Sequence, residues 1–294
     1  MTLIKKNFTF ERFLHFNCKY SFMKKTILVF NVAVFALLAS CKKDNKIVNQ
    51  TKIKDSEKFV IDSISVEDSL KISDKLKLDY TSKILLYPSI KDKNLLDSIY
   101  FSYKGISDYS KKNLSNFLNQ DKTKYFNETK TKSKDWIDDI RYNQTWNTYF
   151  KMSQISHKND FLQIEYLSSA YEGGAHDNYW FSDRVFDLKN KKKLLLSDIT
   201  SIHEKKLSQI LRKNMDRMHS GTTDSKGDVK NSEMLLVDVI EPNDNFYFDE
   251  KNLYFHYSPY EITAFAAGDI VIPVGWQELN GTLNPDFQKR LKIK

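Results

Sequence analysis

The chain has 294 residues, of which 40% are hydrophobic and 14% aromatic, and its formal net charge is +8 at pH 7. Disordered chains combine low hydrophobicity with few aromatic residues, so this composition excludes a largely disordered, collagen-like or mucin-like protein. The length is sufficient for one or two domains with hydrophobic cores of their own.

The first forty residues have the organisation of a secretory signal. The basic segment Met-Lys-Lys at 23–25 is followed by a run at 26–38 that is apolar except for Asn31, and Leu-Ala-Ser-Cys then ends at Cys41. A basic start, an apolar stretch of about 7–15 residues and a small-residue cleavage site make up such a signal. The run is too short for a membrane span, since a helix needs about 20 apolar residues to cross the hydrocarbon core.

The sequence Leu-Ala-Ser-Cys resembles the lipobox of bacterial lipoproteins. This resemblance implies that the signal is cut before Cys41, whose thiol and new amine then carry acyl chains. We therefore expect residues 1–40 to be a leader and signal peptide, and Cys41 to anchor an extracytoplasmic domain to a membrane of the bacterial cell envelope. A second start-like Met-Lys-Lys favours Met23 over Met1 as the start of translation, but the sequence does not decide between them.

The positive charge belongs mostly to this leader. Six basic residues and one acid lie in residues 1–40, so the chain from Cys41 onward has a net charge of +3. Nucleic-acid binding needs clustered basic residues on the folded domain, and we expect no nucleic-acid partner. Cys18 and Cys41 are the two cysteines of the chain, so the mature form is expected to have neither an internal disulfide nor a cysteine-based metal site.

The mature chain begins with residues that we expect to be a tether and lead-in, 41–80. Residues 42–57 have no apolar period and suit a solvated tether. Residues 59–80 alternate weakly, which fits either strands or an irregular lead-in. Residues 82–87 predict a strand that stops at Pro88, because proline lacks a donor for the ladder.

Apolar residues at helical intervals predict helices at 94–103 and 111–126. The polar segment 130–135 predicts a loop, and the aromatic and β-branched residues of 145–155 predict a strand. Residues 161–170 alternate with a period of two, which is typical of a strand with one buried face.

The chain then turns at residues 171–176 and returns at 179–188, which predicts a β-hairpin. Ser201 and Glu204 fit a capping box before a helix that ends near Gly221. A polar loop is predicted at 222–232. The last predicted strands are residues 246–248, 253–257 and 270–274.

Strands and helices therefore mix without a regular βαβ repeat, which favours an α+β fold. We expect two small subdomains with antiparallel sheets and packed helices, residues 81–193 and residues 194–294. Catalytic motifs are missing: the chain has no nucleophile elbow, zinc-protease, phosphate-loop or dinucleotide signature. We accordingly predict no catalytic residues, no metal site and no cofactor.

The turn at residues 171–176 carries the most interesting polar residues. Gly173 and Gly174 can take the positive φ that a tight reversal needs, and His176 follows them between Glu172 and Asp177. His176 could ligate a metal ion or contact a partner. We favour the simpler interpretation, a polar residue that satisfies the turn.

An ordered series of motifs carries a family resemblance. The first block is Tyr-Glu-Gly-Gly-Ala-His at 171–176 with Phe-Asp-Leu at 186–188 and Leu-Ser-Asp at 196–198. A second block runs from 246 through Pro-Tyr-Glu-Ile at 259–262 to Ile-Pro-Val at 272–274. This order resembles the RsiV-like domain of lysozyme-sensing anti-sigma factors, preceded by the N-terminal module of PdaC-type peptidoglycan deacetylases.

The resemblance implies an α+β fold and, for the RsiV-like part, binding of lysozyme. A lipoprotein signal stands where an anti-sigma factor needs its membrane span and sigma-binding segment, and no deacetylase domain accompanies the module. We therefore expect a non-enzymatic envelope lipoprotein that binds lysozyme, another cell-wall-active protein or peptidoglycan. The alternatives are a peptidoglycan-associated enzyme and a structural envelope protein.

Binding of a basic protein would require a local acidic and aromatic patch, because the mature chain offers no bulk negative charge. The candidate partner-binding residues lie in the turn and in a later aromatic corner. They are Tyr171, Glu172, Gly173, Gly174, His176 and Tyr260, with Asp177 and Glu261 beside them.

Overall fold

The computed structural model describes residues 59–103, 106 and 108–293. All of them belong to one compact unit, residues 55–294. The predicted leader, the predicted lipid-attachment residue Cys41 and the predicted solvated tether at 42–57 lie outside the described residues. Within the described part of the chain, no helix is both long and apolar enough to cross a membrane.

The first half of the unit is a six-stranded sheet whose strands are neighbours in chain order. The strands are β1 (Asp62–Lys71), β2 (Leu76–Leu86), β3 (Gln144–Lys158), β4 (Phe161–Tyr171), β5 (Asn178–Asp187) and β6 (Lys192–Lys193). Neighbours are antiparallel except β2 and β3, which are parallel. A parallel pair needs a long crossover, and helices α1 (Lys93–Ile99) and α2 (Lys111–Ser133) form it.

The crossover helices cover one face of this sheet, which we call the helix face. Every second residue of β2 from Leu76 to Leu86 is buried on it, as the period of a strand requires. Tyr166 of β4 is also buried there, and its hydroxyl donates to the Ile99 carbonyl at 2.8 Å. This contact ties the end of α1 to the centre of the sheet.

The second half of the unit surrounds a three-stranded antiparallel sheet, in which β10 is central. Its strands are β9 (Phe246–Phe248), β10 (Asn252–Tyr257) and β11 (Ile270–Gly275), and a small hairpin precedes them as β7 (Thr223–Asp224) and β8 (Gly227–Asp228). The helices are α3 (Leu196–Ile199), α4 (Glu204–Asn214) and α5 (Pro285–Leu291). Mainly antiparallel sheets with helices packed on them establish the α+β class that the sequence predicts, and the parallel β2–β3 pair is a departure from the antiparallel sheets expected.

The three-stranded sheet packs on the other face of the six-stranded sheet, which we call the second face. Phe161 of β4 and Val185 of β5 point from the second face into a core shared with Phe255 and Phe287. Five further aromatic or aliphatic side chains illustrate the density of this core: Leu211, Phe246, Leu253, Ile272 and Trp276. Only the β4–β5 end of the second face takes part in this core.

Predicted strands agree with the structure more closely than predicted helix ends. The strand at 246–248 is confirmed as β9, and those at 253–257 and 270–274 differ from β10 and β11 by one residue. Residues 59–80, which suited either strands or an irregular lead-in, contain β1 and the first half of β2. The predicted boundary at 80/81 therefore falls inside β2, and the boundary at 193/194 directly follows β6.

The loop predicted at 130–135 is wrong, because α2 continues to Ser133. Its polar residues belong to a helix that turns Thr129 and Ser133 inward and the rest of its last turns to solvent. The Ser133 hydroxyl also donates to the Lys130 carbonyl at 3.1 Å. The last turn of the helix was therefore not predicted, because its polar sequence shows no apolar periodicity.

The capping box predicted at Ser201 is also wrong. The N-cap of α4 is His203, whose Nδ1 accepts from the Lys205 amide at 3.2 Å. Ser201 instead donates its backbone amide to the Thr282 carbonyl at 2.8 Å. Ser201, which the local sequence pattern places at the N-cap, is therefore held by a hydrogen bond to a distant part of the chain.

Two predicted helices end earlier than expected. Helix α1 ends at Ile99 rather than at 103, and α4 ends at Asn214, before the predicted end near Gly221. The side-chain Nδ2 of Asn214 donates to the Pro273 carbonyl at 2.9 Å and to the Glu278 carboxylate at 2.8 Å. These bonds fix the end of α4 against the three-stranded sheet.

Candidate functional site

The predicted partner-binding residues lie around the loop between β4 and β5. Tyr171 is the last residue of β4, and its hydroxyl donates to the Gly174 carbonyl at 3.1 Å. Gly173 and Gly174 have φ values of 83° and 130°, so both adopt the positive φ expected of this turn. Glu172 lies beside them with an exposed side chain.

His176 joins this loop to the aromatic corner that follows β10. Its Nε2 lies 3.3 Å from the Tyr260 hydroxyl, and its Nδ1 lies 2.8 Å from the Asp177 carbonyl. The imidazole stacks on the Phe265 ring with centroids 3.6 Å apart and an angle of 12° between the planes. Both nitrogens and one face of the ring are thus occupied by the protein.

Tyr260 adopts a positive φ of 67°, which is uncommon for a residue with a side chain. Its side chain is 57% exposed, although His176 and Phe265 contact it from one side. A local strain of about 1–3 kcal/mol persists only where the surrounding structure enforces it. The corner therefore holds an exposed aromatic ring in one position.

Glu261 does not join the acidic and aromatic patch. Its carboxylate turns inward and accepts a hydrogen bond from the Ser258 amide. Burial raises the pKa of Glu261, and the Ser258 bond partly opposes that rise. Glu261 thus stabilises the turn at 258–261. The exposed acids of the loop between β4 and β5 are Glu172 and Asp177.

The structure brings together a second group that the sequence analysis missed: His256, Asp183 and Asp269. The His256 ring is buried on β10, and its Nδ1 lies 2.7 Å from Asp183 Oδ2 while its Nε2 lies 3.1 Å from Asp269 Oδ2. Burial alone would lower the pKa of His256, but the two carboxylates outweigh burial and raise it to about 9. The ring is therefore a cation at neutral pH that donates to both acids.

A weak sequence signal for this group exists. His256 stands between the buried Phe255 and Tyr257 in a strand, and Asp183 stands in β5 two residues before the buried Val185. A charged residue inside an apolar strand needs a partner of opposite charge, because an isolated buried charge is unstable. The pairing itself spans 73 positions and depends on how the two sheets pack.

Asp183 also belongs to a row of oxygen-bearing side chains across the second face. Ser153 on β3 lies opposite Glu165 on β4, and Glu165 lies opposite Asp183 on β5. Residues directly opposite in antiparallel strands point to the same face. We call Ser153, Glu165 and Asp183 the acidic row.

Burial and the nearby charge of Asp183 raise the pKa of the Glu165 carboxyl. Tyr247 of β9 lies close enough to Asp183 and Glu165 that their charges, added to burial, raise the pKa of its phenol. The Tyr247 ring stacks on Tyr254, with centroids 4.9 Å apart. The acidic row is thus bordered by aromatic side chains of the three-stranded sheet.

Within the described residues, no group of three histidine, cysteine, aspartate or glutamate side chains is arranged to hold a metal ion. His256 illustrates the reason, since its two carboxylate partners bind opposite ring nitrogens and do not converge on one point. The site as described offers hydrogen-bonding and charged groups together with exposed aromatic surface.

Comparison with known proteins gives a family match for residues 193–277. The family model DUF3298, described as a protein of unknown function, matches residues 193–277. A crystal structure of a DUF3298 family member from Bacteroides fragilis has a TM-score of 0.62 at 19% identity and covers 81% of this chain and 98% of that chain. A search of the curated proteins gives no match.

A DUF3298 family protein from Pseudomonas aeruginosa has a TM-score of 0.49 at 12% identity, with 78% of this chain and 96% of that chain covered. The similarity to the Bacteroides fragilis structure shows a shared fold alone, given its low identity. That shared fold covers 81% of the chain, so it extends beyond residues 193–277.

Proposed function

We propose that this chain, whose residues 193–277 form a DUF3298 domain, is a non-enzymatic binding protein of the bacterial cell envelope, held at a membrane through lipidated Cys41. The resemblance of its motifs to RsiV-like domains and to the PdaC-type N-terminal module supports lysozyme, or another cell-wall-active protein, as the first candidate ligand. Peptidoglycan itself is the second.

The observation that carries a binding function is the position of Tyr260. Tyr260 is 57% exposed, its backbone is at a positive φ, and His176 and Phe265 contact its ring from the inner side. An aromatic side chain that is already ordered before binding loses little conformational entropy on contact, and such residues are frequent anchors of interfaces.

The charges of the neighbouring loop suit a basic partner. Glu172 and Asp177 are exposed on the loop that carries His176, and they provide local negative charge on a chain whose net charge is positive. Complementary charge at the rim of an interface mainly increases the association rate and the specificity. Added salt should therefore lower the association rate more than it weakens the contact that Tyr260 makes in the complex.

The test is calorimetric titration of residues 42–294 with lysozyme at low and at physiological salt. This fragment contains the whole compact unit, residues 55–294. Micromolar or tighter binding that survives physiological salt supports the proposal. Absence of heat, or binding that salt abolishes, contradicts lysozyme as the ligand.

Substitution then tests the site. Tyr260→Ala should weaken binding by about 2 kcal/mol if the ring is an anchor. Leu195→Ala is a matched control, because Leu195 is a 47% exposed apolar residue near the opposite end of β5 from the loop. Equal affinity of the Tyr260→Ala and Leu195→Ala proteins would exclude this corner as the contact surface. Turnover of peptidoglycan by the purified protein would instead favour an enzyme.

A further inference from the structure

Strand β1 forms one edge of the six-stranded sheet, since β2 is its one neighbour among the described strands. The Ile72 amide, just after β1, donates to the Leu76 carbonyl at 2.9 Å, and bonded residues alternate along an antiparallel strand. Even-numbered residues of β1 therefore bond to β2. Odd-numbered residues direct their amides and carbonyls away from the sheet, and we call this row of outward groups the open edge.

Two amides of the open edge are capped by the side chain of the preceding residue. Asp62 Oδ1 accepts from the Ser63 amide at 2.7 Å, and Asp68 Oδ1 accepts from the Ser69 amide at 2.8 Å. Both serines are odd-numbered, as expected for amides that β2 does not use. The same arrangement therefore occurs twice on this edge, six residues apart.

Helix α2 holds both capping aspartates in place. Lys111 Nζ lies 2.8 Å from Asp62 Oδ2, and Lys122 Nζ lies 2.8 Å from Asp68 Oδ2. Each carboxylate thus binds a lysine of α2 with one oxygen and an edge amide with the other. The lysine bond and then the amide bond lower the pKa of each carboxyl, so both are ionised at neutral pH.

The sequence beside the open edge favours pairing with another strand. Val60 and Ile61 directly precede β1 and are 47% and 41% exposed, and Ile64 and Val66 follow within the strand. β-branched residues favour strands, and an uncharged apolar segment on a sheet edge is a site for pairing between molecules. Asp62 is the one charged residue in the sequence from Val60 to Val66.

A second copy of this chain has a strand that fits the open edge. In an antiparallel pairing with a two-fold axis at Val66, Ser63 of one copy bonds to Ser69 of the second copy, and the two Val66 side chains meet. An axis at Glu67 would instead place two like charges opposite each other, which is unfavourable. The favoured register therefore needs the two amides that Asp62 and Asp68 cap.

We propose that Asp62 and Asp68 close the open edge of β1 against pairing with a second copy of this chain, and that Lys111 and Lys122 of α2 position them for this role. The closure needs no ligand and does not depend on the binding function proposed above. Attachment to a membrane would make it more important, because chains that share one surface meet more often.

Sedimentation of residues 42–294 measures self-association directly. Asp62→Thr combined with Asp68→Thr removes both carboxylates and introduces a residue that is common in strands. We expect the wild-type fragment to sediment as a single chain at about 500 μM, and the double variant to dimerise with a Kd of about 10–100 μM. The double variant has a higher net positive charge, which by itself opposes association.

Asp74→Thr combined with Glu250→Thr is the matched control. Both acids are exposed and each is paired with a lysine, Asp74 with Lys71 and Glu250 with Lys158. The control therefore changes the net charge by the same amount and also removes two exposed ion pairs. Neither acid caps an amide of β1 in the described part of the chain, so the control should remain a single chain.

Ser65→Pro tests whether the association uses the open edge. The Ser65 amide points away from β2, so proline removes an outward donor and leaves the bonds between β1 and β2 intact. Added to the double variant, Ser65→Pro should restore the single chain. Association that persists in this triple variant would occur through another surface and would overturn the inference.

Amide hydrogen exchange of the wild-type fragment is a test that needs no variant. The Ser63 and Ser69 amides should be protected at least about tenfold more than the Ser65 amide, because an aspartate caps each of the first two. Equal protection of the three amides would overturn the inference. A double variant that stays a single chain, or a control that dimerises as strongly as the double variant, would overturn it as well.

Discussion

The side-chain amide of Gln163 pairs with the backbone of Phe248 as a neighbouring strand would. Its Nε2 donates to the Phe248 carbonyl at 2.8 Å, and its Oε1 accepts from the Phe248 amide at 2.8 Å. Asn245, just before β9, makes the equivalent contact with the backbone of β5. Its carboxamide oxygen accepts from the Asp183 backbone amide, and its carboxamide nitrogen donates to the Phe181 carbonyl. Two carboxamides thereby join the two sheets where no strand pairing connects them.

Gln163→Leu should destabilise the protein by about 2 kcal/mol, because both backbone groups of Phe248 would lose their Gln163 partners inside the fold. The change in urea midpoint at constant slope measures it. Gln120→Leu on the exposed side of α2 is the control, with an expected change within about 0.5 kcal/mol. Equal stability of the two variants would show that water replaces the Gln163 contacts without cost.

His256 should make stability depend on pH in the alkaline range. Its folded pKa of about 9 lies above the ordinary value of 6.5, so its contribution is complete below pH 6.5 and is lost as the pH rises through 9. The shift corresponds to about 3 kcal/mol. The difference in unfolding free energy between the wild type and His256→Gln should therefore shrink from pH 6 to pH 10. A difference that stays constant with pH would show that the buried ring is neutral.

Gly173→Ala should cost more stability than its backbone conformation alone explains. A Cβ at Gly173 would lie 3.3 Å from both Gln144 Oε1 and Trp146 Cζ2, and φ is 83°. Gly281 has a similar φ of 79° but open space around it, so Gly281→Ala measures the backbone cost, about 1–2 kcal/mol. Thermal unfolding of both variants separates the two effects. Identical melting temperatures would mean that Trp146 moves aside freely.

Arg290→Lys should destabilise the protein, although it conserves the positive charge. Arg290 binds both oxygens of Asp187 at 2.6 and 3.1 Å, and its guanidinium lies 3.8 Å above the Phe161 ring. Lysine keeps the charge but cannot make the paired bonds, so we expect a loss of about 2 kcal/mol. Arg212→Lys, on the exposed side of α4, should have no measurable effect. Wild-type stability of the Arg290→Lys protein would show that the positive charge alone is sufficient to hold α5 against Asp187.

Local pattern was sufficient for much of the fold. The period of two in residues 161–170 identified β4 within one residue, because alternation along a strand follows from backbone geometry and needs no knowledge of the partner. Gly173 and Gly174 identified the reversal for the same reason, since a positive φ is a local property. The mixture of such segments predicted the α+β class.

Tertiary structure decided which of these residues meet. His176 and Tyr260 are 84 positions apart and were both predicted as candidate partner-binding residues, and the structure places them in contact. Glu261, the next residue along the same corner, turns its carboxylate inward, where it accepts a hydrogen bond from the Ser258 amide. No periodicity distinguishes an acid that faces solvent from one that closes a turn.

The sequence by itself determined the class of fold, the glycine turn and the strands with a clear period of two, because each depends on neighbours a few residues apart. Only the packing of the three-stranded sheet on the second face decided that His256 lies between Asp183 and Asp269 and that Glu165 lies opposite Asp183. The physical reason is that the charge of a buried side chain is set by its distance to others, and those distances exist only after two sheets have fixed their registers.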